Sequence, residues 1–206
     1  DAISDLGLIC KKNGKLNEAI TFYRIALKYK PDSAECYTNL GHLELTKGSF
    51  FTGWNLYEYR LRIKEFKSLE KKLRNKPIWN GYEDISEKTI LVHHEQGFGD
   101  TIQFCRYIAL LIELNAKVSL ILPKPLIEII EQSFQSLQIV NDFKKEVNYD
   151  FHIPLLSLPK AFNTCFKTIP NTVPYLFTPS KYLKKWELKV PKNESLRLGL
   201  AWSGSN

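Results

Sequence analysis

Two patterns of apolar residues divide the chain. Over residues 1–67, small and aromatic positions recur at a fixed interval: Leu6-Gly7 returns 34 residues later as Leu40-Gly41, Gly14 as Gly48, Ala19 as Gly53 and Tyr23 as Tyr57. A repeat of that length predicts helix pairs that stack on one another. From Lys88 the pattern changes to short apolar runs bounded by turn residues. Thr89–His93, Lys117–Leu122, Leu137–Val140, Asp150–Ile153 and Leu196–Trp202 read as strands, the last stopped by Ser203-Gly204. A helix capped by Asp100 is expected to run to about Leu114, with Ile102, Cys105, Ile108, Ala109 and Ile112 on its apolar side. Pro125–Phe134, with proline at its start, Leu155–Phe162 and Pro179–Trp186 also read as helices. Strands alternating with helices imply a parallel sheet covered on both faces.

The first pattern, Leu-Gly, then Gly, then a small residue and an aromatic three positions on, resembles the tetratricopeptide repeat, a pair of antiparallel helices. Two helices approach closely only where side chains are small, and the aromatics fill the space beside them. Cys10 and Glu44 stand where an aromatic is usual in that repeat. Pro31 closes the first unit, whereas Glu65 replaces the second closing proline, so the second unit is expected to run on as a longer helix. Two repeats rarely bury enough core alone. The array is therefore expected to follow further repeats, to lean on the next domain, or both.

Composition narrows the classes. With 44% hydrophobic and 13% aromatic residues the chain is not disordered. No run of about 18 apolar residues exists to span a membrane, and no signal peptide is visible. Methionine is absent even from position 1, which reads as a piece cut from a longer chain. Cys10, Cys36, Cys105 and Cys165 are scattered without a C-x-x-C pair, which argues against zinc sites and a disulfide framework and fits a reducing compartment, hence the cytoplasm. The net charge of +7 is concentrated in Arg60, Arg62, Lys64, Lys67, Lys71, Lys72, Arg74 and Lys76, against only Glu65 and Glu70. That run reads either as a solvated helix and linker or as a surface for an anionic partner. Nucleic acid is not an expected partner, because neither this run nor the basic stretch 181–192 carries a recognised motif. Pro77-Ile78-Trp79-Asn80-Gly81 then breaks the helix.

The segment most suited to chemistry is His94–Tyr107, HEQGFGDTIQFCRY, between the first expected strand and helix. In an open parallel sheet, ligands bind outside the carboxyl ends of the strands. Gly97 and Gly99 let a ligand approach the backbone, and a helix start offers N–H groups to an anion. A dinucleotide site is not expected, since Ile102 stands at the third glycine of its fingerprint and Leu122-Pro123-Lys124 replaces the acidic residue after the second strand. Asp100 has two readings: a helix cap, or a general base at the mouth of the sheet. The two coexist poorly, because a capping carboxylate is stabilised as the anion. His93 and His94 are adjacent on a strand, so they point to opposite faces and cannot share a metal.

Trp79-x-Gly81, Glu95–Tyr107, Leu156-Ser-Leu-Pro159, Pro174-Tyr-Leu176 and Gly199–Gly204 occur in that order. This resembles tetratricopeptide-repeat proteins of bacteria fused to a two-lobed GT-B glycosyltransferase of the heptosyltransferase type (glycosyltransferase family 9). The architecture is also similar to that of O-linked N-acetylglucosamine transferase. The resemblance implies a Rossmann-like acceptor lobe, the N-terminal half of a GT-B fold. It implies Asp100 as catalytic base, with Gln96, Gly97, Phe98, Gly99, Gln103 and Arg106 binding substrate and Ser203 and Gly204 reaching the donor phosphates. The substrate would be a nucleotide-diphosphate sugar, with no cofactor and no metal. The sugar would pass by inverting displacement to a hydroxyl of a protein or glycan. The layout implied is 1–76 two repeats plus an extended helix, 77–88 a linker, 89–195 the acceptor lobe and 196–206 the start of a truncated second lobe, so this piece is expected to be inactive alone. Asn39 and His42 are the groove candidates for a protein or peptide. Asn39 stands where the acetylglucosamine transferase carries an asparagine ladder, although its counterpart Asp5 can only accept hydrogen bonds and a solvated Asn39 remains open. The alternative function is a non-catalytic interaction module whose lobe is degenerate.

Overall fold

The computed structural model describes residues 2–63, 73, 76–134, 136–140, 148–190 and 198. Helices α1 (Ala2–Lys12), α2 (Leu16–Tyr29), α3 (Ala34–Thr46) and α4 (Phe50–Tyr57) each pack on the next. Their core is built from Ala19, Ile20, Tyr23 and Ala26 of α2 against Cys10, Cys36, Leu40 and Leu43. The repeat register has a steric cause. A Cβ on Gly41 would stand 2.7 Å from the Tyr57 backbone nitrogen, and one on Gly7 would stand 2.9 Å from the Tyr23 ring. Real Cβ contacts are not that short, so these glycines set how closely the paired helices lie. Ser33 caps α3, its hydroxyl accepting from the Cys36 N–H at 3.3 Å. Glu44, in a position where an aromatic was expected, is buried and meets Arg24 at 3.4 Å.

The second unit does not run on as a long helix. α4 ends at Tyr57 and tightens into a 3-10 turn over Glu58–Arg62, and Ile63 is already extended. The cause is Arg60, whose side chain is drawn fully inside. Arg60 is therefore not part of a solvated basic face, while Lys64, Lys67, Lys71, Lys72 and Arg74 lie outside the described residues.

Four parallel strands follow: β1 (Thr89–His93), β2 (Lys117–Ile121), β3 (Gln138–Ile139) and β4 (Phe151–Pro154), in the order β3-β2-β1-β4. The strand expected at Leu196–Trp202 falls, Leu198 apart, outside the described residues. Period-2 alternation sends Ile90, Val92, Val118, Leu120 and Ile153 into the main core, and Leu91 and Ile121 into a smaller cluster with Leu73 and Val140 on the other face. The stretch 77–88, read from sequence as a linker, packs into the body of this region. Trp79 and Ile85 are buried in the main core, and the Trp79 N–H donates to the His152 carbonyl at 2.9 Å. Gly81 is required there twice over: its φ is +94°, and a Cβ would collide with the Ala161 carbonyl oxygen.

The helix after β1 starts earlier than expected. It comprises α5 (Phe98–Phe104), a 3-10 turn over Cys105–Tyr107 and α6 (Ile108–Glu113). Its N-cap is Gly97, not Asp100, which sits in the first turn and reaches back to accept from the Gly97 N–H at 3.1 Å. The buried row is Thr101, Cys105, Ile108 and Leu111, while Ile102 and Ile112 are exposed. The polar Thr101, its hydroxyl bonded to the Gly97 carbonyl, disguised that row in the sequence. Helices α7 (Ile127–Ser133), α8 (Leu158–Ala161) and α9 (Ser180–Glu187) complete the region. Among the described residues no helix is long and apolar enough to cross a membrane.

Candidate functional site

The order β3-β2-β1-β4 places a topological switch point between β1 and β4: the chain leaves β1 toward β2 and returns on the other side. A crevice opens there beyond the strand ends. Arg60 of the helical region fills it. Its Nε and Nη2 donate to the two carboxylate oxygens of Glu95, after β1, at 2.9 and 2.7 Å. Its Nη2 also donates to the Ser157 hydroxyl, after β4, at 2.8 Å, and its Nη1 to Glu58 at 2.6 Å and to the Tyr57 carbonyl at 3.3 Å. All five N–H groups of the guanidinium are used. Burial by itself would lower the Arg60 pKa, but Glu95 and Glu58 more than reverse that and hold it above its ordinary value. The Ser157 hydroxyl in turn donates to Glu58 at 2.9 Å, and the Leu156 N–H donates to Glu95 at 3.2 Å. The loops after both strands are thereby bound to the repeats.

Beside this clasp lies a cavity of about 640 Å³ between α3, α4 and the β1–α5 loop. Its apolar walls are Phe50, Trp54 and Tyr57 from α4, with Phe104, Tyr107 and Tyr175 opposite. Polar groups converge from both regions: His42 of α3, and Gln96, Asp100, Gln103 and Arg106 after β1. A mostly apolar cleft, rich in aromatic rings and with a few placed polar groups, is the usual form of a ligand site. Gln96 is held by the Tyr57 hydroxyl, which accepts from its amide at 2.7 Å. Arg106 donates to the carbonyls of Gln103 and Pro170 at 2.9 and 3.1 Å and lies 4.4 Å over the Tyr175 ring. The His42 pKa is lowered, first by burial and then by Lys11 and Arg60, with Asp100 opposing. His42 is therefore a neutral donor–acceptor at neutral pH.

Residues 7–48 match the tetratricopeptide (TPR) repeat family. No curated protein matches the chain. The chain thus carries a helical TPR region followed by a parallel-sheet α/β region, and TPR repeats typically bind proteins or peptides.

The cavity gathers Gln96, Gly99, Asp100, Gln103 and Arg106 of the α/β region with His42 of the TPR region. Gly97 does not line it, and Phe98 points a half-exposed ring elsewhere. Asn39 is half-buried and accepts from Lys11 at 3.5 Å, away from the cavity. Ser203 and Gly204 lie outside the described residues. Trp54 and Phe50 were not singled out from sequence, because each reads there as an ordinary apolar position, and Tyr175 entered only as part of Pro174-Tyr-Leu176, with no role assigned. Arg60 was hidden within the basic run, although a lone Glu95 between an apolar strand and a glycine loop was a signal that a cation would meet it. Among the described residues no three His, Cys, Asp or Glu side chains converge as metal ligands. His93 and His152 are buried neighbours, ring centroids 5.6 Å apart, within the sheet.

Proposed function

We propose that the cavity between the TPR region and the β1–α5 loop is the acceptor site of an inverting sugar transfer from a nucleotide-diphosphate donor. The carrying observation is that Asp100, Gln96, Gln103 and Arg106 share one aromatic-walled cavity with His42 of the TPR region. Asp100 takes the proton of the acceptor hydroxyl as that oxygen bonds to the anomeric carbon and the nucleotide diphosphate leaves. Gln96 and Gln103 supply amide donors and acceptors to the acceptor's polar groups. The aromatic walls exclude water and orient the ring or chain that bears the hydroxyl. The TPR region recruits the protein that carries or presents the acceptor.

Gly99 supports this reading. A Cβ there would meet nothing within 4 Å, so packing does not demand glycine, and a bare backbone inside a helix costs roughly 0.5–1 kcal/mol relative to alanine. Close approach of a ligand accounts for it.

The test is Asp100→Asn in the protein that carries this chain, assayed with nucleotide-diphosphate sugars. Asn keeps an oxygen for the Gly97 N–H but cannot take the proton, so transfer should fall by roughly 10²–10⁴. Transfer at the parent rate would overturn the reading. One observation favours a second reading, a non-catalytic interaction module: the Asp100 carboxylate is already engaged in the helix start, where it accepts from the Gly97 N–H. In that case the cavity binds its partner and no donor is consumed.

A further inference from the structure

A second cavity, of about 300 Å³, shares Trp54 as a wall with the first. It lies between α4, residues 80–82 and the turn after α8. Two aromatic rings stand at it almost bare: Phe51 is 77% exposed and Tyr82 85%. Three side-chain amides, Asn55, Asn80 and Asn163, join them. Their hydrogen-bonding capacities are complementary. Asn55 donates one amide N–H to the Phe51 carbonyl at 2.9 Å and keeps its oxygen, whereas the Asn80 oxygen accepts from the Tyr82 N–H at 2.9 Å and its N–H₂ is kept. The indole N–H of Trp54 is buried without a partner among the described residues. Among the described residues Lys160 is the one cation lining the cavity, and no carboxylate among them lines it.

We propose that this second cavity binds one ring of a neutral carbohydrate, stacked on the exposed aromatics and hydrogen-bonded by the asparagine amides. A pyranose has an apolar C–H face that packs on an aromatic ring, and hydroxyls that each donate and accept. A set of amides with one free oxygen and one free N–H₂ answers both roles, which a set of pure cations or carboxylates cannot. A phosphate or carboxylate ligand would call for more than one cation. A peptide bound by strand addition would call for an unpaired strand edge, whereas the cavity is walled by a helix and two turns. The volume is at the lower end for small-molecule sites and fits a single sugar ring rather than a chain. The assignment is independent of Asp100 and of sugar transfer.

The test uses Cys165, which lines this cavity and is exposed, whereas Cys10, Cys36 and Cys105 are buried. Alkylation of the native chain should therefore mark Cys165 selectively. Its rate is followed with glucose, galactose, N-acetylglucosamine and their short oligomers, and in parallel with unrelated peptides. One of these sugars should slow alkylation in a saturable way. Tyr82→Ala and Asn55→Ala, both at exposed positions, should each weaken that protection by roughly tenfold, the worth of one good contact. Gln103→Ala, in the first cavity, should leave it unchanged. Absence of protection by every sugar in the panel overturns the proposal. So does protection by peptides alone, or sugar protection that survives both Tyr82→Ala and Asn55→Ala.

Discussion

Arg60 and Glu95, thirty-five positions apart, form a two-pronged ion pair, with Nε to Oε2 at 2.9 Å and Nη2 to Oε1 at 2.7 Å. One partner belongs to the TPR region and the other to the loop after the central strand of the sheet. The Arg60 side chain is wholly buried and that of Glu95 nearly so, which makes the pair strong in geometry and costly to break. The two regions therefore share one folding unit around the candidate site.

Removing one partner should strand a buried charge. Glu95→Ala should cost about 3–5 kcal/mol in denaturant unfolding, far more than an exposed ion pair is worth. Lys117 with Glu87 is such an exposed pair, and Lys117→Ala should change stability by less than about 1 kcal/mol. Equal losses at the two sites would refute the clasp.

Two glycines should respond in opposite ways. Gly41→Ala drives a methyl into the Tyr57 backbone and should destabilise by roughly 1–3 kcal/mol. Gly99→Ala meets open space and should leave stability unchanged or raise it by about 0.5–1 kcal/mol. If a ligand approaches that backbone, the same variant should bind it less tightly. Thermal melts and a binding titration read the two effects separately.

The sheet should be acid-sensitive through its histidines. Burial, then His152 and His94, push the His93 pKa down to about 3 from its ordinary 6.5. His94, just after β1, and His152 of β4 are lowered too, first by burial. The unfolded chain then binds protons that the native state refuses. The stabilisation is complete above about pH 6.5 and is lost as pH falls toward about 3, at up to ~1.4 kcal/mol per pH unit from His93. Urea midpoints measured across that window should fall with pH. His93→Phe should flatten the slope by about one proton's worth, and an unchanged slope would refute a neutral, buried His93.

Tyr57 connects the helical core to the cavity, accepting from Gln96 at 2.7 Å. Tyr57→Phe should cost about 0.5–1.5 kcal/mol and free the Gln96 amide. A ligand held by Gln96 should then lose affinity without any change in the cavity's aromatic walls.

The layers follow from the spacing of residues along the chain. The spacing from Gly7 to Gly41 and from Tyr23 to Tyr57 specified the helix pairs, because close helix contact requires those sizes at those positions. The apolar runs at Thr89–His93 and Lys117–Ile121 specified parallel strands, because strands buried on both faces need continuous apolar side chains. The glycine loop with Asp100 marked one wall of the cavity, because that loop must follow the first strand. Local pattern could not reveal partners distant in the chain. Arg60 looked like any member of a basic run until Glu58, Glu95 and Ser157 surrounded it, and that inward turn is what stopped the helix at Tyr57. Trp54 and His42 became cavity residues only because the clasp sets α3 and α4 against the β1–α5 loop. Those positions depend on burial and long-range pairing, which tertiary packing alone decides.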